Sequence, residues 1–431
     1  MLFLLFALVL IGVAIFHRRT FEVAIAGAVV ITGYRLLATP FSLLHHLQGE
    51  WLLLLNLFGL LMGFALLARH FAESHVPDAL LRWLPSGWMG GFVLLVIVFV
   101  LSAFLDNIAA AMIGGTIAMV VFRGHIHVGY LAALVAASNA GGAGSVVGDT
   151  TTTMMWLNGV APRDVLHAYV GAGVSLLFCG LVAAHQQERY HPIVRGATGA
   201  RIDGGRLLIV AGILAGAILS NVWFGLPAAG VWIAILAGAG FRPTHWHELR
   251  RALKGSLFLV ALVWCASLMP VASLPAASVS SAFMLGCLSS VFDNIPLTKL
   301  ALDQGGYDWG FLAYAVGFGG SMVWFGSSAG VALTNLFPQG RSVWGWVRHG
   351  WHVPVAYVLG FVVLFWVMGW HPQAHTRVTA TLSTVLRVNS ERLAGDRETQ
   401  KGGSYGEKGS NPGHRLPEVQ VADGERGSCR Q

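Results

Sequence analysis

The stretch Leu101-Ser-Ala-Phe-Leu-Asp106-Asn107-Ile108 returns later in the chain as Leu288-Ser-Ser-Val-Phe-Asp293-Asn294-Ile295, and each copy lies inside a long apolar segment. A second pair of segments repeats as well, because Gly141, Gly142 and Gly148 have the same spacing as Gly319, Gly320 and Gly326. An ionisable side chain in hydrocarbon is expensive and needs a partner or a watery cavity. Interrupted helices at corresponding positions of two halves are a pointer to the binding site of a secondary transporter. The repeat therefore predicts a chain of two related halves, each with broken helices.

The surroundings of these motifs exclude an ordinary soluble domain. Of 431 residues, 55% are hydrophobic and only 11% charged, with a mean hydropathy of +0.66, whereas soluble domains carry about 25% charged residues. The net charge of +7 comes from basic residues in short connections and the tail. Topology explains that placement and a nucleic-acid partner does not. Cys179, Cys265, Cys287 and Cys429 show no CxxC spacing, and three sit in apolar runs, so neither a metal site nor a disulfide framework is expected.

Apolar runs occupy roughly 2–16, 21–39, 51–68, 91–122, 128–160, 163–184, 206–222, 227–240, 256–273, 277–302, 309–338 and 351–369. The first lacks a preceding basic stretch and is followed by His17-Arg18-Arg19, which predicts a retained span with its N-terminus outside. If 91–122 and 277–302 bend back at their Asp-Asn pairs as re-entrant hairpins, an all-α polytopic membrane protein results. Each half is then three spans, a hairpin and two spans, and the halves are inverted. On this reading, 1–184 is the first repeat, 185–205 an Arg-rich cytoplasmic linker, 206–370 the second, inverted repeat and 371–431 a disordered polar tail. Residues 69–88 mix charged and apolar side chains as a helix lying in the interface would.

Unwound backbone at membrane depth is tolerated only beside protein or water, so hairpin tips and Gly-rich breaks are where ions can be held. The first break, from Ser138-Asn139 through Gly141, Gly142, Gly148, Asp149 and Thr150, combines freed carbonyls with hydroxyl, amide and carboxylate oxygens. Small hard cations need such oxygens in place of their hydration shell. The partner break carries Gly319, Gly320, Ser321, Gly326 and Ser327, and Ser327 stands where the first has Asp149. One primary cation site is therefore expected at Asp106, Asn107, Ser138, Asn139, Asp149 and Thr150, with Asp293 and Asn294 in the matching position. The bland alternative for the aspartates is helix capping. Lys299 is read either as a counter-ion to Asp293 or as a side chain snorkelling to the membrane rim. Gly326-Ser327-Ser328-Ala329-Gly330 also matches the G-x-S-x-G pattern of serine hydrolases, but without a strand-to-helix elbow that reading is remote.

At these motifs the chain resembles the ion transporter superfamily of inverted-repeat carriers, and within it the NhaD-type Na⁺/H⁺ antiporters. The resemblance is carried by Phe104-Leu-Asp106-Asn107, Ser138-Asn-Ala-Gly-Gly142, Gly148-Asp149-Thr-Thr-Thr-Thr153, Phe292-Asp293-Asn294-Ile-Pro296, and Gly319-Gly-Ser321 through Gly330. It spans most of residues 1–370. It implies exchange of Na⁺ or Li⁺ for H⁺ by alternating access, with Na⁺ held at Asp106, Asn107, Ser138, Asn139 and Asp149 and no resident cofactor. Gly144, Val146-Val147 and Lys299 depart from the expected pattern. Related carriers move arsenite or antimonite, or citrate and other carboxylates. The expected partners are the lipid bilayer and small inorganic cations, with a homodimer left open, in the inner membrane of the cell.

Overall fold

Apolar residues all round a helix suit a lipid environment, and the structure, a computed structural model, describes residues 1–16, 19–76, 79, 84–193 and 201–373. Among them are seventeen α-helices and no strand. The first half holds α1 (Leu2–Ile15), α2 (Thr20–Ala38), α3 (Leu43–Ala72), α4 (Trp88–Ser102), α5 (Asn107–Val121), α6 (Val128–Gly142), α7 (Thr150–Leu157) and α8 (Ala168–Tyr190). The second holds α9 (Gly204–Phe224), α10 (Pro227–Ala239), α11 (His247–Ser267), α12 (Val279–Ser289), α13 (Asn294–Gln304), α14 (Trp309–Gly319), α15 (Ser328–Leu336), α16 (Val343–His349) and α17 (His352–Met368). The described residues all belong to one compact unit. The tail expected to be disordered lies outside the described residues from 374 on, as does 194–200 of the linker.

Four described helices, α2, α3, α8 and α9, are long and apolar enough to cross a membrane. The pair α16 and α17, bent by 58°, joins them when counted as one. The expected runs 91–122, 128–160, 277–302 and 309–338 are each divided into two helices. Crossing takes about 20 residues, so the 15-residue α4, α5 and α6 and the 11-residue α12, α13 and α14 are each too short alone.

Two expected boundaries move. Residues 69–72 continue α3 rather than starting a separate interfacial helix, and Arg69 pairs with Glu73 at 2.7 Å, which Arg206 also reaches at 2.7 Å. Residues 77, 78 and 80–83 of that expected helix are outside the described set. The helix α11 begins at His247, ahead of the apolar run expected from 256, and so carries Arg250, Arg251 and Lys254. At the start of α9, Asp203 accepts from the N–H groups of Gly205 and Arg206. The Arg242 guanidinium, hydrogen-bonded to both of its oxygens, holds the Asp203 carboxyl below the usual carboxylate range.

Packing sorts the helices into two groups. The first three helices of each half, α1–α3 and α9–α11, pack on one another. The interrupted helices and their followers, α4–α8 and α12–α17, form the second group, which meets the first chiefly where α13 packs on α11. Within that group α5 packs on α15 and α13 on α7, so each half's hairpin helix is matched by the other half's broken helix. The contact is reciprocal, as expected for two copies of one structural unit.

Candidate functional site

The site is built where four helices start in the middle of the second group. Asp106, Asp149, Asp293 and Ser327 are the N-caps of α5, α7, α13 and α15. Each break is held by close backbone approach. A Cβ on Gly141 would collide with the carbonyl oxygen of Phe99, and one on Gly319 with that of Gly286. Gly148 meets the Ser102 carbonyl in the same way, and Gly326 the Ser290 carbonyl at 2.6 Å. A matching hydroxyl staple accompanies them: Ser102 Oγ donates to the Ser138 carbonyl at 2.5 Å, and Ser289 Oγ to the Val316 carbonyl at 2.7 Å. Glycine is required here because backbone, not a movable side chain, occupies the space.

In the first half the freed groups converge. Asn107 Nδ2 donates to Asn139 Oδ1 at 3.0 Å and to Asp149 Oδ1 at 2.9 Å. Asn139 Nδ2 in turn donates to Ser321 Oγ at 2.9 Å, which brings the second half into the cluster. These four residues are buried, with Asp149 only 1% exposed. Asp149 Oδ2 has no hydrogen-bond partner among the described residues, and a Cβ on Gly317 of α14 would lie 3.4 Å from it. The Thr151 hydroxyl approaches the same carboxylate without closing a hydrogen bond, and Thr150 Oγ1 stands 3.5 Å from Oδ1. Asp106 is half-buried, makes no capping hydrogen bond and lies within electrostatic range of Asp149.

Not every expected ligand faces this cluster. The Ser138 hydroxyl donates to the Val135 carbonyl of its own helix at 2.9 Å, so only backbone binds it into the site. Thr152 and Thr153 close the break itself, donating to the Ser145 and Val146 carbonyls at 2.5 and 2.9 Å and both to Asp149 O. Ser145 Oγ ties the break to the hairpin turn at Ala103 O.

The second half uses its equivalents differently. Asp293 Oδ1 accepts from Ile295 N at 3.0 Å as a true cap, and Oδ2 accepts from Ser328 Oγ at 3.3 Å. Ser327 Oγ accepts from Gly330 N at 3.3 Å. Asn294 is buried at the first turn of α13. Capping hydrogen bonds close on Asp293 and Ser327, whereas the first-turn N–H groups of α5 and α7 approach Asp106 and Asp149 without closing one. The reading of Lys299 as a counter-ion to Asp293 is corrected: its Nζ meets Asp303 Oδ1 at 2.8 Å and Glu50 Oε2 at 3.0 Å. Nor does it snorkel, because it is 1% exposed. Ser328, considered as a nucleophile, sits on a helix start and donates to Asp293, with no strand elbow around it.

Sequence reasoning passed over Ser102, Ser289 and Trp346. The two serines stand at matching positions of the repeated octapeptide, so the repeat itself signals them. Trp346, whose Nε1 donates to the Ser321 carbonyl at 3.3 Å, carries no sequence signal. Chemically, the cluster offers buried carboxylate, amide and hydroxyl oxygens and the positive ends of two half-helices. Such an arrangement can hold a small cation or a proton against a carboxylate.

No family model matches the chain. It is 27% identical to Sodium/proton antiporter 1 of Arabidopsis thaliana over an alignment of 299 residues, covering 58% of this chain and 50% of that one. Sodium/proton antiporter 2 of the same plant is 27% identical over 305 residues, 58% of this chain and 69% of the relative. Na(+)/H(+) antiporter NhaD of Alkalimonas amylolytica is 26% identical over 390 residues, 73% and 77% of the two chains. The match to the first of these spans about half of that relative's length. The chain is thus similar, at modest identity, to proteins named as sodium/proton antiporters, and its apolar helices are those of a multi-pass membrane protein.

Proposed function

We propose that this protein exchanges Na⁺ or Li⁺ for H⁺ across the cytoplasmic membrane by alternating access. The observation that carries the reading is the unpartnered, buried oxygen of Asp149 in a network that joins Asn107 and Asn139 to Ser321 of the other half. A buried carboxylate must be neutralised by a proton or a cation, and one oxygen free for either makes the two compete for the same place. Asp106 and Asp149 hold the cation, with Asn107, Asn139, Thr150 and freed carbonyls supplying further oxygens. Asp293, within electrostatic range of Asp149, takes part in proton release from the second half. The relatives' names support this substrate class.

Residues 1–184 and 206–370 act as inverted repeats, with the linker between them cytoplasmic. The second packing group shifts against the first to expose the site alternately. Carboxylate transport is disfavoured by the same carboxylates, which repel an anion. The test is transport by everted membrane vesicles with a pH-sensitive dye, adding Na⁺, Li⁺, K⁺, arsenite and citrate in turn. Dequenching with Na⁺ or Li⁺ alone is expected. A response only to arsenite or citrate would replace the proposal.

A further inference from the structure

The charged group farthest from explanation is Lys299. It is buried on α13, paired within its own helix to Asp303 and across to Glu50 on α3, with side-chain exposures of 1%, 6% and 8% for the three residues. Those two helices belong to different packing groups. Glu50 is therefore a charge of the first group engaged by a cation of the second. Arg35 and His46 complete the charged surroundings, and Glu50 and Asp303 have contacts beyond these. Beside this charged cluster the boundary is apolar: Leu300, the next residue of α13, sits in one hydrophobic cluster with Leu262, Cys265 and Ala266 of α11. The N-terminus of the same short helix carries Asp293 and Asn294.

We propose that the Glu50–Lys299 ion pair is a latch between the two helix groups, holding the arrangement seen here and released when the second group moves. This rests on the transport reading for what the motion accomplishes. An apolar boundary can slide with little directional preference, whereas a buried ion pair has one favoured register, and separating it leaves a charge uncompensated. Asp303 makes the separation reversible. Lys299 keeps its intrahelical partner when the groups part, so its charge stays compensated within α13. The 11-residue α13 joins latch and carboxylate site in one rigid element.

The test uses the full-length protein and its own cysteines. Cys265 lies at the boundary cluster on α11, and Cys179 lies within the second group on α8; both are fully buried. Maleimide labelling of each is followed by mass spectrometry in detergent without any ion gradient. Glu50→Gln leaves the Lys299–Asp303 pair in place, and should accelerate labelling of Cys265 about tenfold while leaving Cys179 unchanged. Asp303→Asn leaves the pair across the boundary, and should keep Cys265 within about twofold of wild type. If Glu50→Gln does not insert, the shorter Glu50→Asp carries the same expectation in weaker form. Equal acceleration of both cysteines, no acceleration, or the same response to Asp303→Asn would overturn the latch. Since labelling requires no transport, a failure of Na⁺/H⁺ exchange in vesicles bears on the transport reading alone.

Discussion

The two halves share their breaks but not their carboxylates. Both start a helix at each break, close it by glycine contacts with backbone and pin it with a serine hydroxyl on a carbonyl. In the second half the N-cap side chains are consumed by local structure: Asp293 binds Ile295 N and Ser328, and Ser327 binds Gly330 N. In the first half neither Asp106 nor Asp149 caps its helix, and Asp149 keeps an oxygen unpartnered. The same scaffold thus ends in two local arrangements. One copy satisfies its side chains locally, while the other leaves a buried carboxylate oxygen unpartnered among the starts of two half-helices, whose positive ends favour an anion.

This contrast can be broken most directly at Asp149 and Asp106. Asp149→Asn keeps the size of the side chain and its contact with Asn107 but removes the charge, so Na⁺-dependent dequenching should be lost while the protein still inserts; Asp106→Asn should do the same. Wild-type-like exchange in either would remove that residue from the site. The matched substitution Asp293→Asn should weaken exchange without abolishing it, since Asn caps about as well as Asp but cannot take part in proton release. Complete loss there would make the halves functionally equivalent.

The asparagines sharpen the comparison at smaller amplitude. Asn107→Ala removes the donor that positions Asp149 and Asn139, and should raise the Na⁺ concentration for half-maximal exchange about 10- to 100-fold, the range seen when groups orienting ion ligands are lost. Asn294→Ala should have a smaller effect, because its equivalent carboxylate is already capped. The smallest effect belongs to the shared scaffold. Ser102→Ala and Ser289→Ala each delete one buried hydrogen bond and should lower stability by about 1 kcal/mol in a denaturation series. A clear inequality between them would mean that the two breaks are not built alike.

Much of the candidate site was legible because duplication marks it: Asp106-Asn107, Asp293-Asn294 and the two glycine sets stand at the ends of helices as their repetition implied. The expectation for Ser138 failed in part for a geometric reason. A helical serine can satisfy its hydroxyl on a carbonyl of the preceding turn, and its residue type does not reveal that choice. Lys299 was misplaced because its partner Glu50 lies in the other half of the chain, and no spacing rule connects them. The expected whole spans were subdivided because hydropathy records that a segment is apolar but not where its axis breaks.

By itself the sequence determined that this chain belongs in a membrane, that its helices are interrupted at paired positions and which oxygen-bearing residues stand at those interruptions. These properties follow from the cost of charge in hydrocarbon and from the backbone freedom of glycine, both of which act locally. Only the tertiary structure decided which carboxylate is capped and which is free, that Asn107, Asn139, Asp149 and Ser321 share one hydrogen-bonded cluster, and that Lys299 joins two groups of helices. Each of those depends on the direction of a side chain and on a neighbour remote in the chain, and such contacts come into being only when the helices pack.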